Sequence, residues 1–113
     1  MPKLLTSILK IKDLFRNTII LTNDCWNNHI LVRHPIMKHF ISQLSTCIRD
    51  PDYIYLSKHS DTTRLYYRFE QTKYGEIFIL VIIDMKLNKN LGYVKTALPV
   101  YKIKEGELIW KKT

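Results

Sequence analysis

The sequence predicts an α+β fold, two helices packed on a four-stranded antiparallel sheet. Three observations predict it. Ile36, Met37, Phe40, Ile41, Leu44 and Ile48 recur at three- and four-residue spacing, the stripe of an amphipathic helix. After Pro51 the texture changes to aromatic and β-branched blocks, "DYIYLSK", "TRLYYRFEQ", "EIFILVIID" and "LGYVKTAL", parted by the turn-like "HSDT", "TKYG" and "KLNKN". With three glycines, four prolines and no Ser/Gly-rich linker or repeat, residues 1–113 form one domain.

At the N-terminal end, "LKIK" alternates apolar and basic residues and "TIIL" is β-branched, which fits a hairpin; a helix through Leu4, Ile8, Ile11 and Phe15 fits as well. Thr22 then stands as a helix cap, with Asp24 favourably placed against the positive end of the helix dipole, for a first helix from about Asn23 to Arg33. Pro35 disfavours helical geometry at His34 but suits a first turn, so a second helix opens there and His34 lies in the elbow. "RDPD" ends that helix. Four strands follow as a meander, and Ile77 to Ile83, apolar on both sides, reads as a central strand. "GELIWKK" adds a short strand or packs Trp110 on the body. Helices covering one sheet face leave the other for a ligand.

A formal charge of +8, spread along the chain, favours a polyanionic partner: RNA, DNA or an acidic protein. The two cysteines show no CxxC spacing, so a metal knuckle or redox motif is not indicated. Lysines interrupt the apolar runs of "MPKLLTSILKIKDLF", which argues against a signal peptide or membrane anchor and for a cytoplasmic protein.

The stretch "WNNHILVRHP" carries the candidate chemistry. His29 and Arg33 share a helical face at the border of the side marked by Trp26 and Ile30, and His34 follows. Cleavage of RNA by its own 2′-hydroxyl needs a base, an acid and cations for the phosphorane; histidine fills either proton-transfer role near neutrality and arginine grips phosphate oxygens. No HExxH or paired-Asp pattern suggests a metal, and no cofactor is expected. In "TRLYYRFEQ", alternation sets Arg64, Tyr66, Arg68 and Glu70 on one face, a basic and aromatic strip suited to phosphates and a stacked base. Tyr93 and Lys95 share a side of their strand, opposite Thr96; with Lys58 and Arg68 they make up the expected nucleic-acid contacts. His39 and His59 receive no role.

"LTNDCWNNHILVRHPIM" resembles the "LT...W..HI...HPE" signature of phage-associated and bacterial toxin-like domains of the barnase, EndoU, colicin and RelE-like (BECR) nuclease fold, with "YYRF", "GYVKTA" and "GELIW" following in order. The match runs from about Ser7 to Lys111, although Ile36 stands where the acidic residue after HP is usual. The resemblance implies an opening hairpin, an RNA site on the open sheet face, and His29, His34, Arg64, Tyr66 and Thr96 as the matching candidates. The function it suggests is a metal-independent endoribonuclease, the toxin of a toxin–antitoxin or mobile-element system. Its acid and base would be His29 or His34, its clamps Arg33 and Arg64, and Tyr66 a stacking or proton-donating partner; a neutralising antitoxin would be its further partner. The alternative is a non-catalytic module that binds RNA or an acidic protein through the same basic face.

Overall fold

A computed structural model describes residues 7–103 and 106–113, apart from the side chain of Leu87. The helical alternative through Leu4 begins outside them. From Ser7 the backbone is extended: β1 (Ser7–Lys12) and β2 (Thr18–Thr22) form an antiparallel hairpin in which Ile11 faces Ile19 and Lys10 faces Ile20. Ile19 and Leu21 are fully buried while their neighbours are half-exposed, the period-two pattern of a strand with one covered face.

Thr22 ends β2 and starts the helical stretch, its hydroxyl accepting the Cys25 amide at 3.1 Å. The helix runs as α1 (Asn23–Cys25), a π-helical segment over Trp26–Ile30, and α2 (Leu31–Arg33). The widened turn, with the Leu31 amide bonded to the Trp26 carbonyl, still drops Trp26 and Ile30 into the core. Pro35 opens a 3₁₀ segment (Pro35–His39), and α3 (Ile41–Arg49) follows. The stripe expected as one continuous helix is broken at Phe40, whose φ of −125° leaves helical geometry and sets its ring edge-on to Tyr74 at 6.3 Å.

The remaining strands are β3 (Tyr53–Leu56), β4 (Thr63–Thr72), β5 (Gly75–Lys86), β6 (Leu91–Val100) and β7 (Glu107–Lys111), and all seven join one sheet in the order β1-β2-β6-β5-β4-β3-β7. The expected two helices on a four-stranded antiparallel sheet are therefore not what forms. The sheet has seven strands and is mixed, because β2 pairs with β6 in parallel, Ile20 beside Tyr93, and so fuses the hairpin to the main sheet. At the far edge β7 pairs with β3. Both recruited segments read as strands locally; nothing local names their neighbours.

A second correction concerns the faces. One face packs on the helices through Ile54, Tyr66, Ile79, Val81, Ile83, Val94 and Ala97. The opposite face is not simply open. Leu65, Tyr67 and Leu80 are buried there, with Tyr53, Tyr55, Phe78, Ile82, Leu98 and Ile103 packed around them. β6 and β7 lie four places apart in the sheet, and Ile103, beyond the end of β6, packs on this face. Just before β7, Gly106 lies so close to β3 that a Cβ on it would come within 2.8 Å of the Leu56 carbonyl. Among the described residues, the part of this face left uncovered lies on β1, β2, the start of β6 and the end of β5. Among the described residues no helix is long and apolar enough to cross a membrane.

Candidate nucleic-acid interface

Arg64, Tyr66 and Arg68 share a strand face as alternation requires, but it is the helix-covered face. Tyr66 is fully buried, and its hydroxyl donates to Asp13 Oδ2 at 2.6 Å. Burial, then the hydrogen bond and charge of that carboxylate, hold its phenol well above the ordinary tyrosine range, with Arg64 opposing them. Tyr66 is thus a fixed neutral donor and cannot stack on a base. Arg68 is committed elsewhere: Nη1 donates to the Asp50 carbonyl at 2.7 Å and to its carboxylate at 3.2 Å, and Nε to Glu70 at 3.2 Å, tying the end of α3 to β4. The expected strip is a structural seam.

His29 projects from the π-helical segment and His34 from the elbow, where φ and ψ are −136° and 70°. Both are half-buried and Arg33 is exposed. Among the described residues none of the three side chains makes a hydrogen bond or ion pair. The His34 imidazole is held below its usual range by burial, then by His29 and Arg33. These three groups do stand together, His29 and Arg33 both acting on the His34 imidazole. The cluster does not include Arg64. Ile36, two residues from His34, sits in an apolar pocket with Ile77 and Pro99, whereas Arg64 pairs with Ile83. Six residues of β5 separate the two, roughly 20 Å at strand rise.

Thr96 pairs with Ile82 on the face opposite the helices, and its buried hydroxyl has no hydrogen-bond partner among the described residues. A buried orphan hydroxyl is a net cost, so Thr96→Val, which keeps the branched shape, raises stability by about 1 kcal/mol. Thermal unfolding checks it; a lower midpoint contradicts it. Lys95 is exposed and occupies a β-bulge: Ile82 pairs with Thr96 and Ile83 with Val94, leaving Lys95 as the extra residue. The bulged carbonyls of Val94 and Lys95 accept the Cys25 thiol at 3.2 and 3.4 Å. Burial, then Asp24, push that thiol up to about 11, and burial holds the Cys47 thiol well above its usual value. Neither is a nucleophile at neutral pH.

The cations that do gather were missed from the sequence. Lys10 and Lys12 alternate with Leu9 and Ile11, which pack on the helical core, so the lysines face the other way. Pairing carries that face across four strands. One row reads Lys12, Thr18, Leu91, Lys86; the next reads Lys10, Ile20, Tyr93, Asp84. At about 4.8 Å per strand, Lys12 and Lys86 stand roughly 14 Å apart, and Lys10 and Tyr93 roughly 10 Å. Lys89 joins from a 3₁₀ turn (Leu87–Lys89) that is pinned to β2 by a 2.9 Å bond from the Thr18 amide to the Asn90 carbonyl. Lys86, Asn88, Lys89, Leu91 and Tyr93 line an open depression of about 370 Å³. Lys12 donates to Thr18 at 2.9 Å; Asp84, the acid in these rows, accepts from Thr63 at 2.7 Å. The alternation in "ILKIK" was the available signal for the first two lysines. Tyr93 is the one residue of the expected nucleic-acid set found among them.

No family model, curated protein or solved structure matches this chain. The likeness to BECR nucleases therefore rests on the motif residues alone. Among the described residues no three His, Cys, Asp or Glu side chains come together as a metal-binding group.

Proposed function

We propose that this chain is a cytoplasmic RNA-binding module that holds single-stranded RNA against the outer face of β1, β2, β6 and β5. The observation that carries this is the pair of cross-strand rows, with Lys10, Lys12, Lys86 and Lys89 set around the exposed ring of Tyr93. Lysines neutralise phosphates and a tyrosine face stacks on any base, the combination that binds single strands without reading sequence. The +8 charge adds long-range attraction.

A second reading, cleavage by a toxin-like endoribonuclease, has its own observation: His29, Arg33 and His34 are clustered and free of carboxylate partners, and His34 is biased toward the neutral, proton-accepting form. Arg64 and Tyr66 drop out of that mechanism, which is left with two imidazoles for proton transfer and Arg33 for the phosphorane. An antitoxin for such a toxin would have to cover this cluster.

One experiment separates the two. A labelled single-stranded RNA is titrated with protein in excess chelator, and binding by anisotropy and integrity by gel are read together. RNA that is bound at low salt and stays intact supports the binding module. Cleavage lost on His34→Ala transfers the function to the imidazole cluster, and absence of binding at low salt removes the lysine surface from consideration.

A further inference from the structure

Next to the lysine surface the same sheet face holds a larger cavity, about 690 Å³, lined by Ser57, Lys58, His59, Leu65, Ile82, Lys102 and Ile103. Its chemistry is divided. Leu65, Ile82 and Ile103 give it an aliphatic floor, while Lys58 and Lys102 bring cationic side chains, and His59 an imidazole, to its lining. Among the described residues no acidic side chain lines it. His59 is exposed because its turn is held by local bonds, with its amide donating to the Ser57 hydroxyl at 3.1 Å.

We infer that this cavity receives one unstacked nucleobase of the bound RNA, with the flanking phosphates on Lys102, Lys58 and His59. The inference rests on the RNA reading above and deepens it. Three things point to a base. First, an apolar floor under a cationic rim matches a ligand whose flat, weakly polar part adjoins an anion; sequence-selective RNA recognition works by splaying such a base out of the strand. Second, the volume falls within the range of small-ligand pockets. Third, the cavity lies on the same sheet face as the lysine surface. Ile82 on its floor and Asp84 beside Tyr93 are two residues apart on the same face of β5, about 7 Å. A strand crossing Tyr93 thus reaches the cavity mouth within a residue pair. Tyr93 supplies sequence-tolerant stacking; the cavity supplies selectivity for what fits it.

The test compares an eight-nucleotide single-stranded RNA with a base-free ribose-phosphate strand of equal length, by anisotropy at low salt. Wild type and Tyr93→Ala are used with two cavity variants, Ile103→Trp, which fills the space, and the surface change His59→Ala/Lys102→Ala. Wild type is expected to prefer the base-bearing strand by about tenfold, the scale of one stacked base. Tyr93→Ala keeps at least a threefold preference, and adding Ile103→Trp reduces it to less than twofold, whereas adding His59→Ala/Lys102→Ala weakens both strands and leaves the preference in place. Equal affinity of wild type for both strands, with binding still weakened by Lys10→Ala/Lys12→Ala, overturns the base pocket and leaves the RNA surface standing. A preference that disappears with Tyr93→Ala alone also overturns it. Failure to bind either strand overturns both proposals.

Discussion

Replacing Lys10, Lys12, Lys86 and Lys89 with alanine nearly abolishes the salt dependence of RNA binding. Each phosphate neutralised on a single strand contributes about −0.7 to the slope of log affinity against log salt, so four contacts give roughly −2.8. Wild-type affinity then falls about 50-fold between 50 and 200 mM salt. Each lysine removed takes about 0.7 from that slope, and the quadruple variant binds weakly at every salt concentration. Arg68→Ala serves as the counter-test, since its guanidinium is held by Asp50 and Glu70 and lies on the helix-covered side. Its slope stays at the wild-type value. A quadruple variant with an unchanged slope places the RNA elsewhere.

The second large effect is on stability, at Asp13. This carboxylate is almost wholly buried in the β1–β2 turn and accepts four hydrogen bonds: the Phe15 amide at 2.9 Å, the Asn17 amide at 2.8 Å, the Asn17 side chain at 3.2 Å and the Tyr66 hydroxyl at 2.6 Å. It shapes a turn that holds Arg16 at a φ of 68° and staples the hairpin to β4, 53 residues away. Asp13→Ala strands the Tyr66 hydroxyl and two amides together and lowers stability by about 3–5 kcal/mol. For a domain of this size that is a fall of roughly 10–20 °C in the unfolding midpoint. Tyr66→Phe removes one bond to a charged group and costs about 1.5–3 kcal/mol. The hydroxyl also sets a pH signature. Its ionisation is raised in the fold, so its contribution is intact below about pH 10 and is lost as the pH climbs above that, a loss absent from Tyr66→Phe. Because the hairpin carries Lys10 and Lys12, Asp13→Ala weakens RNA binding too. A midpoint within a degree or two of wild type contradicts this account of the turn.

Much of the local structure was legible. Thr22 caps a helix, Pro35 begins a new helical segment, and Ile77 to Ile83 lies in the central strand because a run apolar on both sides is tolerated only there. The division of Arg64, Tyr66 and Arg68 from Leu65 and Tyr67 was legible as well. Which of those faces the helices cover was not. Period-two patterning names two sides and leaves the covered one open, and the side bearing arginines and a tyrosine reads as solvent-facing. The polar groups that reverse this lie far off in sequence: Asp13 for Tyr66, Asp50 for Arg68. The architecture escaped for the same reason. The parallel contact of β2 with β6 and the docking of β7 on β3 are non-local pairings with no composition of their own. The lysine surface exists only because of the first of them. Lys10 and Lys12 are brought beside Lys86 and Lys89 by strands that the sequence keeps about seventy positions apart.

Amide chemical-shift mapping of the protein titrated with a short single-stranded RNA addresses the central claim without any substitution. The lysine surface predicts the largest shifts at residues 10–12, at Ile20, and from Lys86 to Tyr93, with little change at His29, Arg33 and His34. Shifts confined to residues 29–39, or spread over the helix-covered face around Arg68, would contradict it.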